Sequence, residues 1–107
     1  MRKSVYLIRS KETGDYKIGI SKKPKKRLKQ LQTGNSSELE LLEIFETEYA
    51  HKVEKGLHNL FSHAKKEGEW FELSLNERFD FRHRCNILEE NFEIIEKIKS
   101  DDNLDVL

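Results

Sequence analysis

Six basic residues crowd into the eight positions 22–29: Lys22, Lys23, Lys25, Lys26, Arg27 and Lys29. Positive side chains at that density suit an anionic partner, above all a row of phosphates. Further along, His51, Glu54 and His58 fall at i, i+3 and i+7 of a helical pattern, on one stripe. Two imidazoles and a carboxylate could hold a transition metal. A third strong ligand is not evident, however, and the favoured reading of the stripe is a polar helix face. His58 reads best as a phosphate contact or acid beside Glu54.

The basic cluster stands out because the whole chain is formally neutral, with 20 Lys/Arg against 20 Asp/Glu in 107 residues. The neutrality is a cancellation. Residues 1–35 hold eleven Lys/Arg and two acids, a net +9, while residues 36–107 hold nine Lys/Arg and eighteen acids, a net −9. Either the acidic half folds back over the basic half, or the basic face meets an anionic partner; the second is expected. Charged residues make up 37% and hydrophobic ones 36%, so the chain is globular but very polar, with a core for one domain. No apolar run approaches the ~18 residues of a membrane span, and Met1-Arg2-Lys3 leads into no signal-peptide apolar region. Cys85 stands alone, so no internal disulfide forms, and no Cys/His spacing suggests a zinc site. The protein is expected inside the cell, in the cytoplasm, without a membrane partner.

The elements that must carry these residues are legible in outline. "SVYLIR" (4–9) and "YKIGI" (16–20) read as strands, joined by a short turn with Gly14 into an antiparallel hairpin. A helix follows, with Ser21 or Lys23 at its start and Pro24 in its first turn; Leu28 and Leu31 form its apolar stripe and "TGN" (33–35) ends it. "ELELLEIFE" (38–46) is expected as a third strand, a helix being the alternative. Ala50, Val53, Leu57, Leu60 and Phe61 recur at helical spacing over 48–63. "EWFEL" (69–73) reads as a short extended piece whose Trp70 or Phe71 enters the core, a base-stacking platform being the minority reading. Ser74-Leu75-Asn76-Glu77 fits a capping box that opens a long helix to about Lys99. Its stripe of Phe81, Cys85, Leu88, Phe92 and Ile95 is expected to wrap the sheet in its first half and to offer a homodimer contact in the rest. The fold class expected is α/β (α+β): a small three-stranded, mainly antiparallel sheet flanked by helices, plus the long C-terminal helix. Residues 1–73 form the core, 74–99 the C-terminal helix and 100–107 a frayed tail.

"VYLI" (5–8), "YKIG" (16–19), "KRL" (26–28), "LQTG" (31–34), "VEKGLHNLF" (53–61) and "GEWFEL" (68–73) occur in this order at close spacing. Together they resemble the GIY-YIG nuclease superfamily, and are similar to its small phage- and virus-encoded branch with a K-I-G second motif. The resemblance covers roughly residues 4–73. It implies a metal-dependent endonuclease hydrolysing phosphodiester bonds of DNA, RNA not being excluded. It also implies that Tyr6 acts on the attacking water, that Arg27 contacts the phosphate and its transition state, and that Glu54 binds the metal, Mg²⁺ or Mn²⁺. The second-tyrosine position holds Lys17, as in some restriction-type members of the superfamily, where a cation could orient water or a phosphate oxygen. The family's later asparagine has no match by spacing; Asn76 and Asn86 are the candidates. Lys22, Lys23, Lys25, Lys26 and Lys29 would line the nucleic-acid path. With Lys17, Arg27 and a metal nearby, the Tyr6 pKa is expected to fall below its ordinary ~10. The alternative reading is a nuclease-derived module that binds nucleic acid or a protein partner without cutting. A third, weaker one is an assembly protein that works through its C-terminal helix.

Overall fold

In the computed structural model, which describes residues 2–105, four strands and three helices follow in the order β1 (Lys3–Ser10), β2 (Tyr16–Ser21), α1 (Pro24–Thr33), β3 (Leu39–Thr47), α2 (Ala50–Leu60), β4 (Trp70–Phe71) and α3 (Leu75–Asp105). The sheet is antiparallel throughout, in the order β3-β1-β2-β4. The expected class, α+β, fits, but the expected sheet of three strands is wrong: there are four. The extended piece at 70–71 pairs with the outer edge of β2, Tyr16 opposite Phe71 and Lys17 opposite Trp70. Two forces put it there. β2 needs partners for its edge amides, and Phe71 is fully buried once docked.

The hairpin forms because β-branched and aromatic residues fill both strands and Gly14 takes the left-handed conformation (φ 76°) that the turn requires. Alternation then sends side chains to two faces. Val5, Leu7, Ile18 and Phe45 meet α2 and α3 on one face, together with Val53, Leu57, Phe61, Phe71, Phe81 and Cys85. Tyr6, Ile8 and Leu39 meet Leu28 and Leu31 of α1 on the other. A bulge in β3 between the partners of Leu7 and Ile8 adds one residue and keeps both faces apolar.

Pro24 opens α1 at its first turn, and the helix lies on the sheet by two leucines with no fully buried residue. α3 begins at the expected capping box: the Ser74 backbone N–H donates to Glu77 (2.8 Å) and the Glu77 N–H donates to the Ser74 hydroxyl (3.2 Å). It runs past Lys99, to Asp105; residues 106–107 of the expected tail lie outside the described residues. Along it Phe81 and Cys85 are buried and Leu88 and Phe92 pack on the core, whereas Ile94, Ile95 and Ile98 are exposed. No helix among the described residues is long and apolar enough to cross a membrane.

Candidate active site

The register of the β1–β2 hairpin decides which side chains meet. Tyr6 stands opposite Gly19, and Ile8 opposite Lys17. Paired residues of an antiparallel ladder share a face, and so do residues two apart along a strand. Tyr6 and Lys17 therefore share the α1 face, and Tyr16 points into the core on the other side. Gly19 makes room for the tyrosine: a β-carbon there would run into the Tyr6 hydroxyl and lie 2.6 Å from Cζ. The motif position is glycine because the phenol occupies the space a side chain would need.

Around that phenol four elements converge. α1 brings Arg27, whose guanidinium is near enough to the Tyr6 hydroxyl to pull its pKa down. Lys17, only 12% exposed, pairs with Glu69 (Nζ–Oε1 3.0 Å) and lies 5.6 Å from the centre of the Trp70 ring. α2 buries Val53 and Leu57, which presents Glu54 and His58, one turn apart, at the edge of β2. That edge is open because β4 is only two residues long. The last partner it supplies is the Glu69 carbonyl, which accepts from the Ile18 N–H (3.3 Å). The Ile18 carbonyl accepts instead from His58 Nε2 (2.9 Å), and the imidazole rests edge-on against Phe71, with centroids 4.9 Å apart. Ligand atoms of Glu54, His58 and Glu69 lie within 4.8 Å of one another.

Electrostatics at this cluster follow from burial. Desolvation raises the Tyr6 pKa above its ordinary 10.0; Arg27 pulls it down, and the carboxylates of Glu69 and Glu54 push it up. The net direction is upward, so the expectation that neighbouring cations lower it does not hold for the protein's own groups. Removing water from a phenol on a side chain only 2% exposed outweighs one guanidinium. The Glu54 carboxyl is likewise raised, first by burial and then by Glu69, against the opposing pull of His58, His51 and Lys17.

Beside the cluster runs a groove of about 400 Å³ lined by Lys3, Lys22, Lys23, Lys26, Arg27 and Gln30. Arg27 belongs to both. Lys25 and Lys29 are exposed on α1 but do not line the groove. Among the described residues, no carboxylate pairs with Lys22, Lys23, Lys25, Lys26, Arg27 or Lys29. The acids of the second half instead pair elsewhere, Glu43 with Arg78 and Arg82, Glu46 with Arg2, and Glu40 with Arg9. The basic cluster is thus not neutralised from within.

Of the residues singled out by sequence, Tyr6, Lys17, Arg27, Glu54 and His58 come together. His51 does not; it sits 3.2 Å from Lys3 Nζ. Asn76 lines a separate groove with Leu60, Phe79 and Arg84, and Asn86 is exposed on α3. Glu69 was missed. Its signal lay in "GEWFEL": the residue before the buried aromatic pair must lie beside whatever strand that pair docks on.

No curated protein and no solved structure matches the chain. Its sequence matches the model of one family over residues 3–98, nearly its whole length, so the chain belongs to the T5orf172 domain family.

Proposed function

We propose that the protein is a metal-dependent endonuclease of GIY-YIG type, hydrolysing phosphodiester bonds of DNA. One observation carries the reading: Tyr6, Lys17, Arg27 and Glu54, from two strands and two helices, meet at the open edge of β2. Core packing accounts for Tyr6, buried beneath α1, but not for the arrival of Lys17, Arg27 and Glu54 around it. The adjoining groove, with its unneutralised lysines, supports a polyanionic substrate, and T5orf172 domain membership is compatible with a nucleic-acid-related role.

The roles follow from chemistry at each position. Phosphate oxygens seated in the groove reach Arg27, which spreads the charge that develops at phosphorus as the water oxygen attacks. Tyr6, beside Arg27, orients that water through its phenol oxygen; with its pKa raised, the phenol is neutral at pH 7 and serves first as a positioning group. Lys17, held by Glu69 and the Trp70 ring, places an ammonium where the superfamily has a second phenol. His58, tied to the Ile18 carbonyl, lines the carboxylate side of the site. The half-buried Glu54, crowded by Glu69, fits a divalent cation, Mg²⁺ or Mn²⁺. Bound there, such an ion supplies positive charge for the leaving oxygen.

The test is supercoiled plasmid incubated with the pure protein, with and without Mg²⁺ or Mn²⁺. Nicking or linearisation that needs the cation is expected. Glu54→Gln keeps shape and hydrogen bonding but removes a charge, so cleavage should fall by roughly 10²-fold or more with DNA binding kept. A wild type that cuts nothing under either ion leaves the binding-module reading in its place.

A further inference from the structure

We propose that Glu54, His58 and Glu69 form a three-ligand centre for a first-row transition dication of the Mn²⁺ class, with His58 selecting it over Mg²⁺. In its purpose this rests on the nuclease reading, whereas the coordination stands on the donor set alone.

The geometry comes first. A carboxylate oxygen of Glu54, one of Glu69 and a ring nitrogen of His58 lie within 4.8 Å of one another on half-buried side chains. Three donors sharing one ion at ~2.1 Å stand roughly 3.0–3.6 Å apart, so closing on an ion shortens the separations by about 1–2 Å at most, within the reach of side-chain rotation. The donors are fixed independently. Glu54 and His58 are one turn apart on a helix anchored by the buried Val53 and Leu57. Glu69 is set by the pairing of β4 with β2 and by its own carbonyl, which accepts from the Ile18 N–H.

The imidazole supplies the second argument. His58 Nε2 faces the Ile18 carbonyl, which can only accept, so Nε2 carries the proton and donates. In the neutral ring the lone pair is then on Nδ1. Histidines that bind metals are oriented in this way, the second ring N–H given to a carbonyl or carboxylate. Phe71 fixes the ring plane from the side. A carbonyl at the end of a short strand pairing therefore determines which nitrogen is free.

Donor chemistry decides the ion. Mg²⁺ takes oxygen ligands and retains much of its water, so an imidazole adds little to its binding. Two carboxylates and one imidazole favour ions from Mn²⁺ onward, whose affinity for nitrogen rises along the row. Charge agrees: Lys17 takes one oxygen of Glu69, and one ammonium for two carboxylates leaves room for added positive charge.

The test uses the full chain without DNA. Mn²⁺ is titrated in, free ion is followed by electron paramagnetic resonance, and Mg²⁺ is added as competitor. One Mn²⁺ per chain is expected, bound about tenfold or more tighter than Mg²⁺, with nitrogen hyperfine coupling in the pulsed spectrum of the wild type. Glu54→Gln and Glu69→Gln should each weaken binding by about tenfold or more, while Glu72→Gln leaves it unchanged. His58→Gln, which keeps an N–H for the Ile18 carbonyl, should lower the preference for Mn²⁺ over Mg²⁺. Equal affinity for the two ions, or a wild-type spectrum without nitrogen coupling, overturns the centre without recourse to any variant. Nitrogen-coupled Mn²⁺ on a chain that cuts no plasmid supports the centre and removes the nuclease reading. Cleavage with Mg²⁺ by a chain lacking the coupling does the reverse.

Discussion

The Tyr6 phenol lies across Gly19, filling the space that a β-carbon on Gly19 would take up. That contact joins the two strands of the hairpin on the face where Lys17 and Arg27 also lie. It gives the glycine a purpose independent of backbone conformation, since Gly19 is not among the residues with positive φ.

Gly19→Ala should therefore act through Tyr6. Its methyl would meet the phenol ring, and the ring is packed against α1, so the tyrosine must swing or the hairpin must shift. Overpacking of this kind costs about 1–3 kcal/mol. A denaturant melt should show that loss, and cleavage should fall well beyond it because the phenol has left its place. Gly19→Ala/Tyr6→Phe removes the hydroxyl but leaves Cζ 2.6 Å from the new β-carbon, so it should regain only part of the lost stability; full recovery would mean that the ring is not in the way.

The lysines divide into two sets that binding should tell apart. Lys22, Lys23 and Lys26 line the groove that Arg27 shares with the cluster, while Lys25 and Lys29 lie outside it. Each phosphate contact contributes about 0.9 to the slope of log affinity against log salt. Replacing Lys22, Lys23 and Lys26 with Ser should flatten the slope for duplex DNA by roughly 2–3, and replacing Lys25 and Lys29 should change it less. Equal slopes in both variants and wild type would mean that the groove does not follow the phosphates.

How far the sequence could be read depends on how local each cause is. The hairpin, the Pro24 start of α1 and the Ser74–Glu77 box rest on neighbours within a few residues, and all were legible. The extended course of "EWFEL" and its buried aromatic were legible too, but its pairing as β4 was not, because a two-residue strand exists only through its partner more than fifty residues earlier. Glu69 was lost with it. That Tyr6 and Lys17 share a face depended on register, since a slip of one residue would have turned Lys17 into the core. The direction of the Tyr6 pKa depended on burial beneath α1, and burial is a tertiary property.

The start of α3 carries a pH dependence. Burial pushes the Glu77 carboxyl up, but hydrogen bonds from the Ser74 backbone N–H, His63 and the Ser74 hydroxyl outweigh it and hold the pKa below the ordinary 4.5. A carboxylate with a depressed folded-state pKa adds stability that is present above its unfolded value and is lost as pH falls through the folded one. Ser74→Ala should cost about 1 kcal/mol at pH 7. Glu77→Gln should narrow its deficit to wild type as pH drops below ~4, as seen in denaturant melts at several pH values. A deficit constant down to pH 2 would place the effect in packing.

Lys17 is where cation binding and cleavage should part. Its ammonium neutralises Glu69 and lies beside the Trp70 ring, on the same face as Tyr6. Lys17→Met keeps the stem that packs there and removes the charge, leaving Glu54 and Glu69 to face each other without it. A dication should then bind more tightly, because no ammonium competes for Glu69. Cleavage should fall by about 10²-fold if the ammonium acts on the phosphate or the water. Lys17→Tyr restores a polar group at the position and should recover part of that loss, with the tighter cation binding retained. Titration of Mn²⁺ and plasmid cleavage on the same two variants read both effects. If Lys17→Met cuts as the wild type does, the lysine only balances Glu69, and the second-motif position has no part in the reaction.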